Sequence, residues 1–277
     1  MKHKKFAALL CALLSLSLLT ACGGKQEPTG SGSGSTSQPP QEPSSSTSSG
    51  LVTVEPGKLH MSTHAQFAPY EMVADDGSFE GIDVEVAGLI AQKLGLELVV
   101  DDMNFTACLE AVQNGKSDMA MAGITVTDDR KVNMDFSDTY ATGIQVVIVP
   151  ENSPIQTPDD LASCDLIGVQ EGTTGYIYCS DKFGEDHVVV YEDGPVAIQA
   201  LINGKADCVV LDNAPAKAYV ANNPGLKILD SAFSEEDYAI CLKKGDTAMM
   251  EAVNGALAEL IADGSVQKVV EKYIPVD

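Results

Sequence analysis

Residues 58 to 273 predict an α/β protein built as two similar lobes. Three observations carry that expectation. Strand-like and helix-like segments alternate throughout, one helix–turn–strand phrase occurs twice, and the foldable body is about 225 residues long. Alternation on this scale favours largely parallel strands, because the helices between them carry the chain back across the sheet. A body of that length suits two modest lobes or one large domain.

The first strand is expected in "KLHMSTH" (58–64). "DVEVAGLIAQKLG" (83–95) has apolar residues at helical spacing and closes on Gly95. "LELVVDDM" then reads as strand, "TACLEAVQNG" as helix and "SDMAMA" as strand. The second half repeats the rhythm with strands in "DLIGVQ", "HVVVYE" and "DCVVL", and helices in "TGYIYCSDKFG" and "PVAIQALING". Helix "APAKAYVANN" follows, then strands "LKIL" and "YAICLKK", and a helical end from Asp246 to Tyr273 broken at Gly264. The repeated phrase is "EAVQNGKSDMAMAG" (110–123) against "QALINGKADCVVLD" (199–212). Each copy reads as helix, glycine stop, acidic turn and buried strand.

The first 50 residues are read apart from this body. Lys2, Lys4 and Lys5 precede the apolar run "FAALLCALLSLSLL", which is short for a membrane span, and "LTAC" places small residues before Cys22. This is a signal peptide over residues 1–21, and its end resembles the lipobox of bacterial lipoproteins, in which the cysteine is lipidated. Residues 22–50 form a Gly/Ser/Pro tether with no large apolar side chain, unable to offset its own ordering entropy. Loss of the three leader lysines moves the formal charge from −23 to −26. Such an excess excludes nucleic acid and anionic lipid surfaces as partners of the body. Cys108, Cys164, Cys179, Cys208 and Cys241 show no metal-ligand spacing, and no metal or cofactor is expected. Cys164 and Cys179 flank a strand and helix, which leaves a disulfide between them open.

The chemistry concentrates at three expected strand tips, where open α/β sheets bind ligands. "AGITVTDDR" (122–130) offers Gly123, the Thr125 hydroxyl, Thr127 as a helix N-cap, and Arg130, the single arginine of the chain. A guanidinium fork grips a carboxylate by two parallel hydrogen bonds, which lysine cannot do. "QEGTTG" (170–175) opens a helix with Gly172, Thr173 and Thr174, and the third tip ends on Asp212. An amino-acid zwitterion needs one receptor for each charge. Arg130 with Thr173 and Thr174 supplies the first, and Asp212 with Gly123 and Thr125 the second. Taken singly, "GTT" also reads as a plain helix cap and Asp212 as the N-cap of "NAPAKAYV".

Over residues 56 to 277 the runs "FAPYE…GSFEGIDVEVAGLIAQKLG", "NGKSDMAMAGITVTDDRKVNMDFSDTY", "IGVQEGTTG" and "NGKADCVVLDN" resemble the family 3 (polar amino acid) solute-binding proteins of ABC transporters. The resemblance implies the two-lobed periplasmic-binding-protein type II fold, with two hinge strands and a ligand in the cleft between lobes. Lobe 1 would be 51–142 with 239–277, and lobe 2 143–238. It implies that Arg130, Thr173 and Thr174 hold the ligand carboxylate and that Asp212, Gly123 and Thr125 hold its ammonium. Phe67 would cover the ligand, Phe105 would line the side-chain pocket, and Gln170, Leu211 and His64 stand where ligand specificity varies. Because His64 replaces an acid common in binders of basic ligands, a neutral polar or sulfur-containing side chain is expected over a cationic one.

The implied role is capture of an amino acid by a lipid-anchored monomer that delivers it to an ABC permease, without catalysis. Two rivals stay open. One is a sensor partner binding the same ligand. The other is a dehydratase-like enzyme on this fold, for which Asp102 and Glu171 are the acids to nominate, though each reads more simply as a solvated loop residue.

Overall fold

The computed structural model describes residues 51–274. The signal peptide, Cys22 and the tether lie outside the described residues. The chain opens with β1 (Lys58–Thr63) and three short strands, β2 (Gln66–Phe67), β3 (Glu71–Val73) and β4 (Phe79–Glu80). Helix α1 (Ile82–Leu94), β5 (Glu97–Asp102), α2 (Phe105–Gln113), β6 (Met119–Ala120) and α3 (Asp128–Asn133) complete the first half. The 17-residue strand β7 (Met134–Pro150) then leads away into β8 (Ile167–Gln170), α4 (Thr174–Phe183) and β9 (Val188–Tyr191). Next come α5 (Gly194–Ile202), β10 (Cys208–Asp212), α6 (Asn213–Asn222) and β11 (Leu226–Ile228). Strand β12 (Ser234–Lys243) returns to the first half, which α7 (Thr247–Ala262) and α8 (Ser265–Tyr273) close.

One nine-stranded sheet runs β5-β1-β6-β12-β7-β10-β8-β9, with β11 on β7, and β2-β3-β4 form a separate small sheet. The outer strands pair in parallel, β1 with β5 and β6, and β8 with β9 and β10. The central strands do not. β12 runs antiparallel to β6 and β7, and β7 antiparallel to β10 and β11. The largely parallel expectation therefore holds for each half and fails at the centre, because the chain crosses between halves once in each direction. Positions 142/143 and 238/239, the expected lobe boundaries, fall inside these two crossing strands.

Burial follows the same division. Leu59 and Met61 of β1, with Ile82, Val86 and Ile90 of α1, are fully buried in one core together with Leu257 of α7. Strand β10 serves two cores by alternation: Cys208 and Val210 face one, Val209 and Leu211 the other. The five cysteines among the described residues are buried free thiols, Cys164 and Cys179 among them, and the Cys164 thiol stands against Cys208. Among the described residues no helix is long and apolar enough to cross a membrane.

Candidate functional site

The strand tips from the two halves meet across one cavity. Its walls carry His64, Phe67, Phe105, Gly123, Thr125 and Arg130 from the first half, and Gln170, Thr173, Thr174 and Asp212 from the second. Leu211 is not among them. Strand alternation turns its side chain to the opposite face, where it packs with Val146, Ile148 and Ala216.

Thr127 caps α3, its hydroxyl accepting from the Arg130 N–H at 3.2 Å, and the helix carries Arg130 into the protein. The guanidinium is 8 % exposed, which matters because it forms no ion pair among the described residues. Its Nη1 donates to the Thr125 carbonyl at 2.7 Å and its Nη2 to the Gly172 carbonyl at 3.1 Å. The Phe105 ring centroid lies 5.3 Å from its Cζ. Loss of hydration lowers its pKa from the usual value, the mark of a cation that the protein leaves short of charge compensation. Across the cavity Thr173 caps α4, accepting from the Tyr176 N–H and donating to the Gln170 carbonyl. First-turn N–H groups of such a helix lack intrahelical partners and attract anions.

The opposite charge sits at the end of β10. Asp212 occupies the N-cap position of α6 yet makes no capping hydrogen bond. Its carboxylate instead accepts from Gln145 Nε2 at 2.7 Å and from the Tyr238 hydroxyl. Gly143 makes that approach feasible, since a Cβ there would fall 2.2 Å from the Tyr238 oxygen. Burial, then the nearby Glu236, push the Asp212 pKa well above the usual range. Gly123 has φ +54°, and a Cβ there would meet the Phe67 ring at 2.6 Å. Its N–H donates to Asp83 at 2.9 Å, which ties the tip to the start of α1.

Three side chains here escaped the sequence reading. Gln145 and Glu236 lie on the crossing strands, and β7 as a continuous strand had no signature separating it from its surroundings. Glu71 is the third. It is completely buried, lines the cavity, and neither carboxyl oxygen receives a conventional donor. The Asp83 carboxyl is the acid whose charge bears most directly on it. Burial and the Asp83 charge raise the Glu71 pKa well above its usual range. His64 adds another acceptor: with Nδ1 against the Met103 carbonyl at 3.0 Å, its buried Nε2 is left without a partner. The His64 position itself carries no acid, but Glu71 of β3 lines the same cavity.

Residues 59–276 match the family model of bacterial extracellular solute-binding proteins, family 3. The chain belongs to this family. A probable histidine-binding protein of Neisseria gonorrhoeae is 34% identical to it, covering 99% of this chain and 96% of that one. Among solved structures, a mutant of ArgBP from T. maritima is 37% identical with a TM-score of 0.74, covering 79% of this chain and 96% of its own. The arginine-, lysine-, histidine-binding protein ArtJ of Geobacillus stearothermophilus is 33% identical with a TM-score of 0.75, again covering 79% and 96%. This family 3 protein therefore has the two-lobed periplasmic-binding-protein type II fold, with β7 and β12 as hinge strands and its cleft between the lobes.

Proposed function

We propose that this protein captures an L-amino acid by closing its lobes, taking lobe 1 as residues 51–142 with 239–277 and lobe 2 as 143–238. The observation that carries the reading is a buried, unpaired Arg130 sharing one cavity with Asp212. A zwitterion satisfies both: its carboxylate answers the guanidinium and the N–H groups around Thr173 and Thr174, and its ammonium answers Asp212, Thr125 and the Gly123 carbonyl. Phe67 and Phe105 enclose the ligand between them. Closure follows from contacts that only the closed cleft offers.

The far end of the cavity presents acceptors: the Glu71 carboxyl, the bare His64 Nε2 and the Gln170 amide. A donor-bearing side chain suits it, and a cationic one best, because it would give the buried, unpartnered Glu71 carboxyl both a hydrogen bond and a counter-charge. This reading departs from the neutral or sulfur-containing side chain expected from His64. The relatives' names include histidine- and arginine-binding proteins, which suit this reading, and also cystine- and glutamine-binding ones, which do not favour it. As a lipoprotein anchored through Cys22, the protein would act as a monomer on the outer face of the membrane and deliver its ligand to an ABC permease.

A thermal-shift panel over the amino acids, cystine and ornithine included, tests the reading. A true ligand at one hundred times its dissociation constant stabilises the protein by about 2.7 kcal/mol. L-arginine is expected to give the largest shift. A panel in which no amino acid moves the melting temperature would remove the proposal.

A further inference from the structure

The crossing strand β12 carries a second buried carboxylate, Glu236, which is 5 % exposed and does not line the cavity. Its Oε2 accepts from the Thr125 hydroxyl at 2.7 Å and from Gln145 Nε2 at 3.2 Å. The same Gln145 nitrogen donates to Asp212, so one amide group bridges both acids. Glu236 Oε1 is buried without a hydrogen bond, and the Tyr178 hydroxyl stands beside the carboxylate. Glu236 lies opposite Gly143 in the pairing of the two crossing strands, which fixes its place at the hinge.

We infer that Glu236 is a positioning residue for the ligand's ammonium group, acting through Thr125 and Gln145. A hydroxyl has one proton and two lone pairs. Because Thr125 spends its proton on Glu236, it has only lone pairs to offer the cavity. It then accepts from an N–H and cannot donate to a carboxylate. Its polarity therefore decides which way round a zwitterion sits: ammonium at the Thr125 and Asp212 end, carboxylate at the Arg130 end. Glu236 also adds a negative charge behind Asp212, which favours a protonated amine over a neutral group of equal size. The neighbouring Glu236 also contributes to the raised pKa of Asp212, after burial.

This inference rests on the amino-acid reading, and the experiment keeps the two apart. Wild type and Glu236→Gln are titrated with L-arginine and L-glutamine, and by competition with their des-amino analogues, 5-guanidinopentanoic acid and 4-carbamoylbutanoic acid. The Gln variant keeps the shape and removes the charge. It should bind both amino acids roughly ten- to a hundredfold more weakly, the scale of one charge-assisted hydrogen bond, and bind the des-amino analogues as wild type does. Thr125→Val should show the same amine-selective loss, and the double variant should be little worse than Thr125→Val alone. Equal losses for the amino acids and their analogues, or none for either, overturn the role of Glu236. Should the Gln variant not fold, Thr125→Val alone decides by the same comparison. Failure of wild type to bind these or any other amino acid overturns the parent reading, and this inference with it.

Discussion

The two ends of the cavity hold opposite charges in opposite ways. Arg130 is held through two backbone carbonyls and an aromatic face, with no ion pair among the described residues. Asp212 is held by donors, Gln145 and Tyr238, inside a network that contains a second acid. Both arrangements fix a charged group in advance, and neither neutralises it. The difference lies in the partners: the cation end has only carbonyl acceptors and a ring face, while the acid end has side-chain donors shared between two carboxylates.

The largest break in that comparison is at Arg130. Truncation to Ala should leave the ligand carboxylate uncompensated in a desolvated cleft and cost about 3–5 kcal/mol of binding, measured by calorimetry. Arg130→Lys should recover little, because the two-pronged geometry is lost. An Arg130→Ala protein binding within tenfold of wild type would defeat the assignment. Asp212→Asn comes next, with an expected loss of about 1.5–3 kcal/mol in affinity. The same variant should melt higher than wild type without ligand, since it removes a buried acid held far from its preferred charge. A lower melting temperature for the unliganded variant would mean that the donors compensate Asp212 fully.

Glu71→Gln sharpens the comparison at the side-chain end. It should weaken arginine relative to glutamine by about tenfold, one hydrogen bond to a charged partner, while leaving the glutamine affinity nearly unchanged. Equal losses for both would place Glu71 in the scaffold. The smallest effect concerns pH. Burial raises Asp83 from its ordinary 3.8 to about 6. The folded protein thus holds a proton that the unfolded chain releases across that window. This group's contribution is complete below pH 3.8 and is lost as pH rises through about 6. The melting temperature of unliganded wild type should fall more steeply from pH 4 to pH 6 than that of Asp83→Asn. Parallel slopes for the two proteins would rule out Asp83 as the source.

Much of this was legible in the chain, for identifiable reasons. Helix spacing and the Gly95 and Gly264 stops place α1, α7 and α8 closely, because these signals are local. Arg130 stood out as the single guanidinium, and Thr127 as its cap. Asp212 was ambiguous, since an aspartate before a helix is ordinarily a cap. Its release from capping depends on Tyr238 and Gln145, which are 26 and 67 residues away. Glu71 sat within a recognised run yet had no sequence mark separating a buried acid from a surface one.

The sequence by itself determined the α/β alternation, the strand tips, the lone arginine and the family. The tertiary structure alone decided the direction of the central strands, the exclusion of Leu211 from the cavity, and the acids that surround the ligand. The reason is range. Periodicity and caps are written within a turn or two of chain. Burial of a carboxyl at Glu71, Asp83 or Glu236 is set by residues tens to over a hundred positions distant, as Thr125 and Glu236 are at |i−j| = 111.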